Sequence, residues 1–494
     1  MNTIIDNDLL SIQEARILAE NAREAQKLLA AFPQEKLDEI VEHMAEEIGK
    51  YAKELAVMSS DETDYGKWQD KYIKNRFVCE YLRGKLRTMR CVGIIGKDDA
   101  EHTMDVGVPM GVIAALPPAT SPVSTTIYKA MIAVKSGNAV VFSPHPRAKN
   151  TIGRVLDILI ETAERYGLPV GAMSYLHTVT HSGTMELMNH KAVSMILITG
   201  VPSILEAATQ TGKPVLYGGA GNGPAFIERT ADIHQAVQDI IQSKTFDNGV
   251  ATAAEQSIVV DGPIANEVKQ ELQRSGAYFM TDAESERLGN LLFRDGGKTD
   301  GEMAGKTAKY LAQRAGITVP DNTVLLISEQ RYVSDTNPYS REKLCPVLAY
   351  YVEDDWMHAC EKCIELLLSE RRGHTLVIHS RDEEVIRQFA LKKPVARVLV
   401  NTPATFGGMG ITTNLFPAMT LGSGSAGRGA TSDNVSPMNL IYIRKVGYGV
   451  RRMEDLFGSN TNECAPAVPA ANAGSSNADV QLLKSLLDKM MESR

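Results

Sequence analysis

Pro109-Met110-Gly111-Val112-Ile113-Ala114-Ala115-Leu116 is followed by a Pro/Ser/Thr loop, a helical pattern over about 124–136, and then Ala139-Val140-Val141-Phe142. Short, continuous apolar runs bounded by turn residues read as strands buried on both faces. Strand–helix–strand repetition makes such strands parallel neighbours in a doubly wound sheet. The pattern continues outward with a Pro-rich loop, a helix over about 150–166, and further strands at 195–198 and 214–216. After residue 250 it resumes, with strands near 257–260, 323–328, 347–352, 375–379 and 397–401 and helices between them. The fold class is therefore α/β, with a second α/β domain following the first.

The flanks differ from this alternation. Residues 9–58 read as helices, with Leu18, Ala22, Ala25 and Leu29 and then Leu37, Ile40, Val41, Met44 and Ile48 at three-to-four-residue steps. A linking segment is expected over 59–70, then a helix to about 85. Residues 88–108 alternate around Gly96-Lys97-Asp98-Asp99, which predicts a β-hairpin, and 439–446 alternate enough for one more strand. Residues 459–477 have a linker composition. Beyond them, 478–494 place Val480, Leu483, Leu486, Leu487, Met490 and Met491 on one helical stripe.

A chain of 494 residues is too long for one small core, so two or three domains are expected. The net charge of −8 gives no electrostatic reason for nucleic acid or an anionic membrane as partner. Six irregularly spaced cysteines do not make a disulfide framework. Cys360 and Cys363 form a single C-x-x-C inside a helical pattern with no second pair, so packing rather than metal binding is expected. The N-terminus lacks the apolar core of a secretory signal, and no apolar run reaches the ~18 residues of a membrane span. The expectation is a cytoplasmic, reduced protein.

Chemistry concentrates in Lys244-Thr245-Phe246-Asp247-Asn248-Gly249-Val250-Ala251-Thr252-Ala253-Ala254-Glu255-Gln256-Ser257. This frame resembles the nucleophile loop of the CoA-acylating aldehyde dehydrogenases, where Phe-Asp-Asn is followed shortly by cysteine. Here Thr252 holds the cysteine's place. Other stretches resemble the same family in the same order. They are Thr63-Asp64-Tyr65-Gly66-Lys67-Trp68 with Asp70-Lys71, the 109–116 strand, Ser143-Pro144-His145-Pro146-Arg147-Ala148-Lys149, and Ile198-Thr199-Gly200. Gly218-Gly219-Ala220-Gly221-Asn222, Glu342-Lys343-Leu344-Cys345-Pro346-Val347, Gly373-His374-Thr375 and Val400-Asn401-Thr402-Pro403 follow. The resemblance covers about residues 10–452.

It implies the aldehyde dehydrogenase fold, with a Rossmann-like cofactor-binding domain over 1–235 interrupted by the 88–108 hairpin. A catalytic α/β domain would occupy 236–430, and a return segment over 431–458 would carry a β element for homo-oligomerisation. NAD or NADP would be the cofactor, a small aldehyde the substrate and CoA the acyl acceptor. Carried over residue by residue, cofactor contacts fall to Ser143, His145, Pro146, Thr199, Gly200, Gly219, Gly221 and Glu342, the last at the nicotinamide ribose. Elementary physics supports the location, because ligands of open α/β sheets bind at the carboxyl ends of strands. His145, Arg147 and Lys149 are candidates to face an adenosine ribose or phosphate, the alternative for each being a solvated helix start. Glu342 reads otherwise as an exposed turn carboxylate.

The departures from the family lie in the reacting centre. A thiol is appreciably ionised near neutral pH and its thioester is a good acyl donor, whereas the Thr252 hydroxyl is neither acidic nor flanked by an evident base. Ser121 stands where the family's oxyanion-binding Asn is expected, within Thr120-Ser121-Pro122. Ser369-Glu370-Arg371-Arg372 replaces a usual Gly-Gly, Arg428 breaks a Gly pair, and Ser423 occupies the place of another common cysteine. The loop 218–222 lacks the glutamate with which hydrolytic relatives activate water, which fits the acylating branch. Cys345 is the one cysteine near the Glu342 motif, readable as a substitute nucleophile or as a packed small hydrophobe. Two functions follow: an acylating aldehyde dehydrogenase impaired or inactivated at Thr252, or a non-catalytic pseudoenzyme with a structural, cofactor-binding or assembly role. The linker and helix at 459–494 resemble the encapsulation peptides that bring such dehydrogenases into bacterial microcompartments. A helix docking on its own subunit or a neighbour is the plainer reading.

Overall fold

The apolar runs form parallel strands because each is covered on both faces, as the computed structural model shows for residues 6–294, 298–369, 374–457 and 481. Strands β1 (Gly93–Asp98) and β2 (Thr103–Pro109) lie where the hairpin is expected. A five-stranded sheet then gathers β3 (Val112–Leu116), β4 (Ala139–Phe142), β5 (Met173–Tyr175), β6 (Val193–Thr199) and β7 (Val215–Gly218). Its spatial order is β5-β4-β3-β6-β7, with every pairing parallel. All residues of β3 and β4 are buried, which accounts for their unbroken apolar character.

A seven-stranded sheet is built from β8 (Pro224–Ile227), β9 (Ser257–Asp261), β10 (Ala277–Met280), β13 (Leu325–Glu329), β14 (Val347–Glu353), β15 (Thr375–His379) and β16 (Arg397–Val400). The two-residue strands β11 (Phe293–Arg294) and β12 (Lys298–Thr299) pair separately. The large sheet runs β10-β13-β14-β9-β8-β15-β16 and is also wholly parallel. Two apolar clusters cover its opposite faces, one around Phe226, Leu326 and Phe389, the other around Ile258, Ile327 and Leu348. The five-stranded sheet packs with the N-terminal helices into a third. The sheets therefore divide between residues 218 and 224. Strand β17 (Ile441–Gly447) joins β1 and β2 in a three-stranded sheet.

The segment 59–70, expected as a link, is largely helical. The helix Ala52–Thr63 runs into it as far as Thr63 because Ser59 and Thr63 face inward, and the Thr63 hydroxyl donates to the Ser59 carbonyl at 2.6 Å. Asp64 then ends the helix in the left-handed region. The helix Trp68–Arg76 runs on into a π-helical turn, Phe77–Leu82.

The chain divides into a main unit, residues 1–95 and 105–444, and a small one, 96–104 and 445–494. Within the small unit, Asp98 Oδ1 accepts from the backbone of Ala100 and Glu101, and Tyr448 N–H donates to the His102 carbonyl. The linker 459–477, the amphipathic segment 478–494 (apart from position 481) and the 370–373 replacements lie outside the described residues. Among the described residues no helix is long and apolar enough to cross a membrane, and no group of His, Cys, Asp or Glu is arranged to hold a metal.

Candidate functional site

Strand order places a crevice. The chain leaves β3 toward β4 on one side, while β6 lies on β3's other side, so the loops after β3 and β6 part above neighbouring strand ends. Such a switch point is where open parallel sheets bind ligands. A cleft of about 270 Å³ opens there, lined by Pro118, Thr120, Gly200 and Val201 from these loops. Tyr65, His145, Thr252, Thr299 and Glu342 add to its polar lining. Val201, a β-branched residue, is held at φ 52°, a strained conformation of the kind concentrated at binding sites. Burial, with a lesser contribution from Arg147, pushes His145 below its ordinary range, so its imidazole is neutral. Its Nδ1 accepts the Arg147 N–H, and the Arg147 guanidinium donates to Tyr65 Oη at 3.0 Å.

A second cavity, about 140 Å³, extends from His145 along Ser143, Pro144, Pro146 and Thr184. The Ser143 and Thr184 hydroxyls are hydrogen-bonded at 2.8 Å. A third, about 60 Å³, lies on the other side of Thr252, bounded by Lys74, Ser121, Thr125, Thr199 and Met409. Thr252 lines the first cavity and the third, and so sits at their junction.

The loop bearing Thr252 is shaped by three successive left-handed residues, Asp247, Asn248 and Gly249. Asp247 is fully buried and is fixed from several directions. Its Oδ2 takes Lys71 Nζ at 3.1 Å and Lys74 Nζ at 2.5 Å, its Oδ1 takes the Lys67 N–H at 2.8 Å, and its own N–H donates to Asp70. The neighbouring ammonium groups hold its carboxyl below the usual range against the opposing effect of burial. Gly66 is required beside it: φ is 70°, and a Cβ there would lie 1.8 Å from Asp247 Oδ1. Lys71 also donates to the Thr120 carbonyl, and Lys74 to Ser121 Oγ at 2.6 Å. One buried ionic knot thus ties the Thr252 loop to the loop after β3.

On the opposite flank, the Gly221 N–H donates to Glu342 Oε1 at 3.0 Å. A Cβ on Gly221 would stand 1.9 Å from the Thr252 carbonyl oxygen and 3.5 Å from the His374 Cβ. His374 is buried, its Nε2 has no partner among the described residues, and burial drives its pKa far down, with Arg397 adding to the effect. Three residues beyond Thr252, burial raises Glu255 to about 7; its Oε1 accepts the Ala404 N–H. Among the described residues no hydrogen bond links the Thr252 hydroxyl to a base. Cys345 is fully buried and its thiol is pushed up to about 11, the state of a packed hydrophobe rather than a nucleophile. Cys360 and Cys363 are buried on one helix, with the Cys363 thiol raised to about 12.

Of the expected site residues, His145, Gly200, Glu342 and Thr252 line the central cleft, and Ser143 and Pro146 its extension. Gly221 holds the Glu342 carboxylate beside it. Thr199 lies on the Ser121 side, its hydroxyl 2.6 Å from that of Thr420. Gly219 packs beside the Tyr217 ring instead of lining either cavity. Asp247, Lys71 and Tyr65 stand inside the quoted motifs but were given no role there, and Lys74 lies outside them. The available signal was two lysines one helical turn apart, at 71 and 74, in a segment with a buried face.

The model of the aldehyde dehydrogenase family matches residues 3–286. The acetylating succinate-semialdehyde dehydrogenase of Clostridium kluyveri is 30% identical over 440 residues, 89% of this chain and 96% of that protein. The bifunctional aldehyde-alcohol dehydrogenase AdhE of Escherichia coli K12 is 36% identical over 448 residues, 90% of this chain and 50% of AdhE. This chain thus spans about half the length of the AdhE-type relatives. Among solved structures, an acetylating aldehyde dehydrogenase from Geobacillus thermoglucosidasius matches with TM-score 0.88 and 41% identity, covering 91% of this chain and 99% of that one. A propionaldehyde dehydrogenase from the Clostridium phytofermentans fucose utilisation microcompartment matches at 0.78 and 28%, covering 87% and 96%. A Rhodopseudomonas palustris propionaldehyde dehydrogenase, solved with bound CoA and an acylated cysteine, matches at 0.78 and 26%, covering 88% and 97%.

Proposed function

Because this chain belongs to the aldehyde dehydrogenase family and groups with its CoA-acylating members, we propose that it is a cofactor-binding homologue that has lost the acylating reaction. The carrying observation is Thr252, a hydroxyl without a hydrogen-bonded base at the junction of the two cavities. The reaction of the acylating relatives turns aldehyde, CoA and NAD(P) into acyl-CoA, and it depends on a thiol that ionises near neutral pH. In our reading Thr252 occupies the place of that thiol, and no described cysteine lines the cleft.

The residues present suit NAD(P). The cleft sits at a switch point, His145 and Ser143 offer uncharged polar groups, and Gly200, at φ 67°, would bring a Cβ within 3.2 Å of Pro118. His145, Ser143 and Pro146 would hold the adenosine end and Glu342 the nicotinamide ribose. When bound, the dinucleotide supplies a hydride acceptor. Titration of the full-length protein with NAD and NADP, beside an assay with acetaldehyde or propionaldehyde, CoA and NAD, tests the reading. Saturable dinucleotide binding without NADH formation is expected, with turnover appearing in Thr252→Cys. Robust NADH production by the natural protein would overturn it.

Two further parts of the proposal concern assembly. Ile94, Tyr442 and Ile443 are exposed on β1 and β17, which supports homo-oligomerisation through this sheet; a monomer in light scattering would refute that. The amphipathic pattern over 478–494, together with the microcompartment origin of one relative, supports delivery to a shell or cargo core inside a cytoplasmic microcompartment. A fluorescent fusion of 478–494 that stayed diffuse in shell-forming cells would refute that part.

A further inference from the structure

Beside Thr252 the protein buries more positive than negative charge. Lys71 and Lys74 share the single carboxylate of Asp247, and the three side chains are 3%, 2% and 0% exposed. The next charges outward are Asp70, which accepts the Asp247 N–H, and Lys67, 3.8 Å from Asp70. Lys67 is 43% and Asp70 18% exposed, so among the fully buried groups two ammonium groups face one carboxylate. A buried cation lacking a counter-ion is strongly unfavourable, and proteins tolerate it where a ligand supplies the missing charge. Burial already lowers Lys71 to about 8 against the pull of Asp247.

The excess charge faces a cavity. Lys74 Nζ has three N–H bonds, of which one goes to Asp247 and one to Ser121 Oγ. Lys74 and Ser121 both line the small pocket of about 60 Å³ beside Thr252. Since Ser121 Oγ accepts from Lys74, its own O–H is available to an acceptor in that pocket. The Thr125, Thr199 and Thr252 side chains add small polar surface, while Met409, Met419 and Leu421 supply an apolar wall.

We propose that this pocket is an anion subsite that takes the carboxylate of a short-chain acid, with Lys74 and Ser121 as its donors and the methionine wall against the alkyl chain. The inference rests on the preceding reading in one respect: Thr252 carries no acyl group covalently, so the pocket is open to a reversibly bound acid.

Calorimetric titration of the full-length protein with propionate, propionamide, chloride and phosphate, each with and without saturating NAD, tests it. Propionate should bind at least tenfold more tightly than propionamide or either inorganic anion. Ser121→Ala and Lys74→Met should each weaken propionate tenfold or more. Equal affinity for acid and amide would overturn the proposal, as would chloride or phosphate binding as well as propionate. Because Lys74→Met removes a buried partner and can fail to fold, Ser121→Asp provides an independent test by placing a carboxylate beside Lys74 within the chain. It should raise the thermal midpoint and abolish propionate binding; a lowered midpoint with propionate still bound would overturn the subsite. Absence of NAD binding alongside intact propionate binding would defeat the cofactor reading and leave the subsite standing.

Discussion

The two cavities that meet at Thr252 are made in different ways. The larger cleft is shaped by backbone: the switch point after β3 and β6, the left-handed turn at Val201 and the close approach of Gly200 to Pro118. Its histidine is kept neutral by burial. The smaller pocket is shaped by charge, with two lysines and an aspartate buried behind Ser121. Shape carried by backbone survives many side-chain exchanges, because a strand end or a turn asks little of any one residue. Covalent chemistry depends on one atom, and at Thr252 that atom is an oxygen. A binding face can therefore outlive the reaction beside it.

Breaking the charged side should have the largest effect. Asp247→Asn leaves Lys71 and Lys74 buried without a carboxylate, and removal of one partner from a buried ion pair costs about 3–5 kcal/mol. The same aspartate accepts the Lys67 N–H and packs on Gly66 beside Tyr65, so the Tyr65 wall of the larger cleft should loosen as well. The expected outcome is a clearly lower thermal midpoint and weaker NAD binding together. A midpoint within a degree or so of the natural protein would show that the knot does not hold the two loops.

A smaller effect is expected from pH. The folded pKa of Glu255, raised to about 7 by burial, exceeds its unfolded value near 4.5, so the folded state binds the extra proton between those limits. Its contribution to stability is complete below about pH 4.5 and is lost as pH rises through 7. The full loss is on the order of a few kcal/mol, because each pH unit separating the two values is worth about 1.36 kcal/mol. Thermal midpoints compared at pH 5 and pH 8 should fall for the natural protein and change less for Glu255→Gln, whose amide mimics the protonated acid. Identical pH dependence in the two proteins would show that Glu255 does not titrate in this window.

The same contrast between backbone and charge explains what could be read from sequence. The runs at 111–116 and 139–142 announce themselves because parallel strands are apolar on both faces; the observed strands are Val112–Leu116, one residue shorter, and Ala139–Phe142. Strand β8, Pro224–Ile227, is as short as β4 but opens on a proline directly after a glycine-rich loop and has one β-branched residue, so it merges with that loop in the sequence. Only the end of the helix Ala52–Thr63, from Ser59 onward, was read as a link, because its buried polar residues, one satisfied by a local hydrogen bond, look like one. Thr252, Ser121 and His145 were legible through motifs. The burial of Lys71 and Lys74 on Asp247 was not, because lysines one helical turn apart ordinarily mark a solvated face, and only the fold brings Asp247 beneath them.

The smallest effect should come from the backbone-shaped side. Glu342 accepts the Gly221 N–H, and Gly221 lies against the Thr252 carbonyl. Glu342→Gln keeps an acceptor oxygen for that N–H and removes only the charge, so the loop should hold its place. The cost in cofactor affinity is then the difference between a charged and a neutral acceptor, about 1 kcal/mol or several-fold in Kd. Glu342→Ala leaves the Gly221 N–H without this acceptor and should weaken NAD further, while both variants retain propionate binding at the Lys74 pocket. Loss of propionate binding in Glu342→Gln would show that the two cavities act as one site, and the distinction between a binding face and a reaction face would fail.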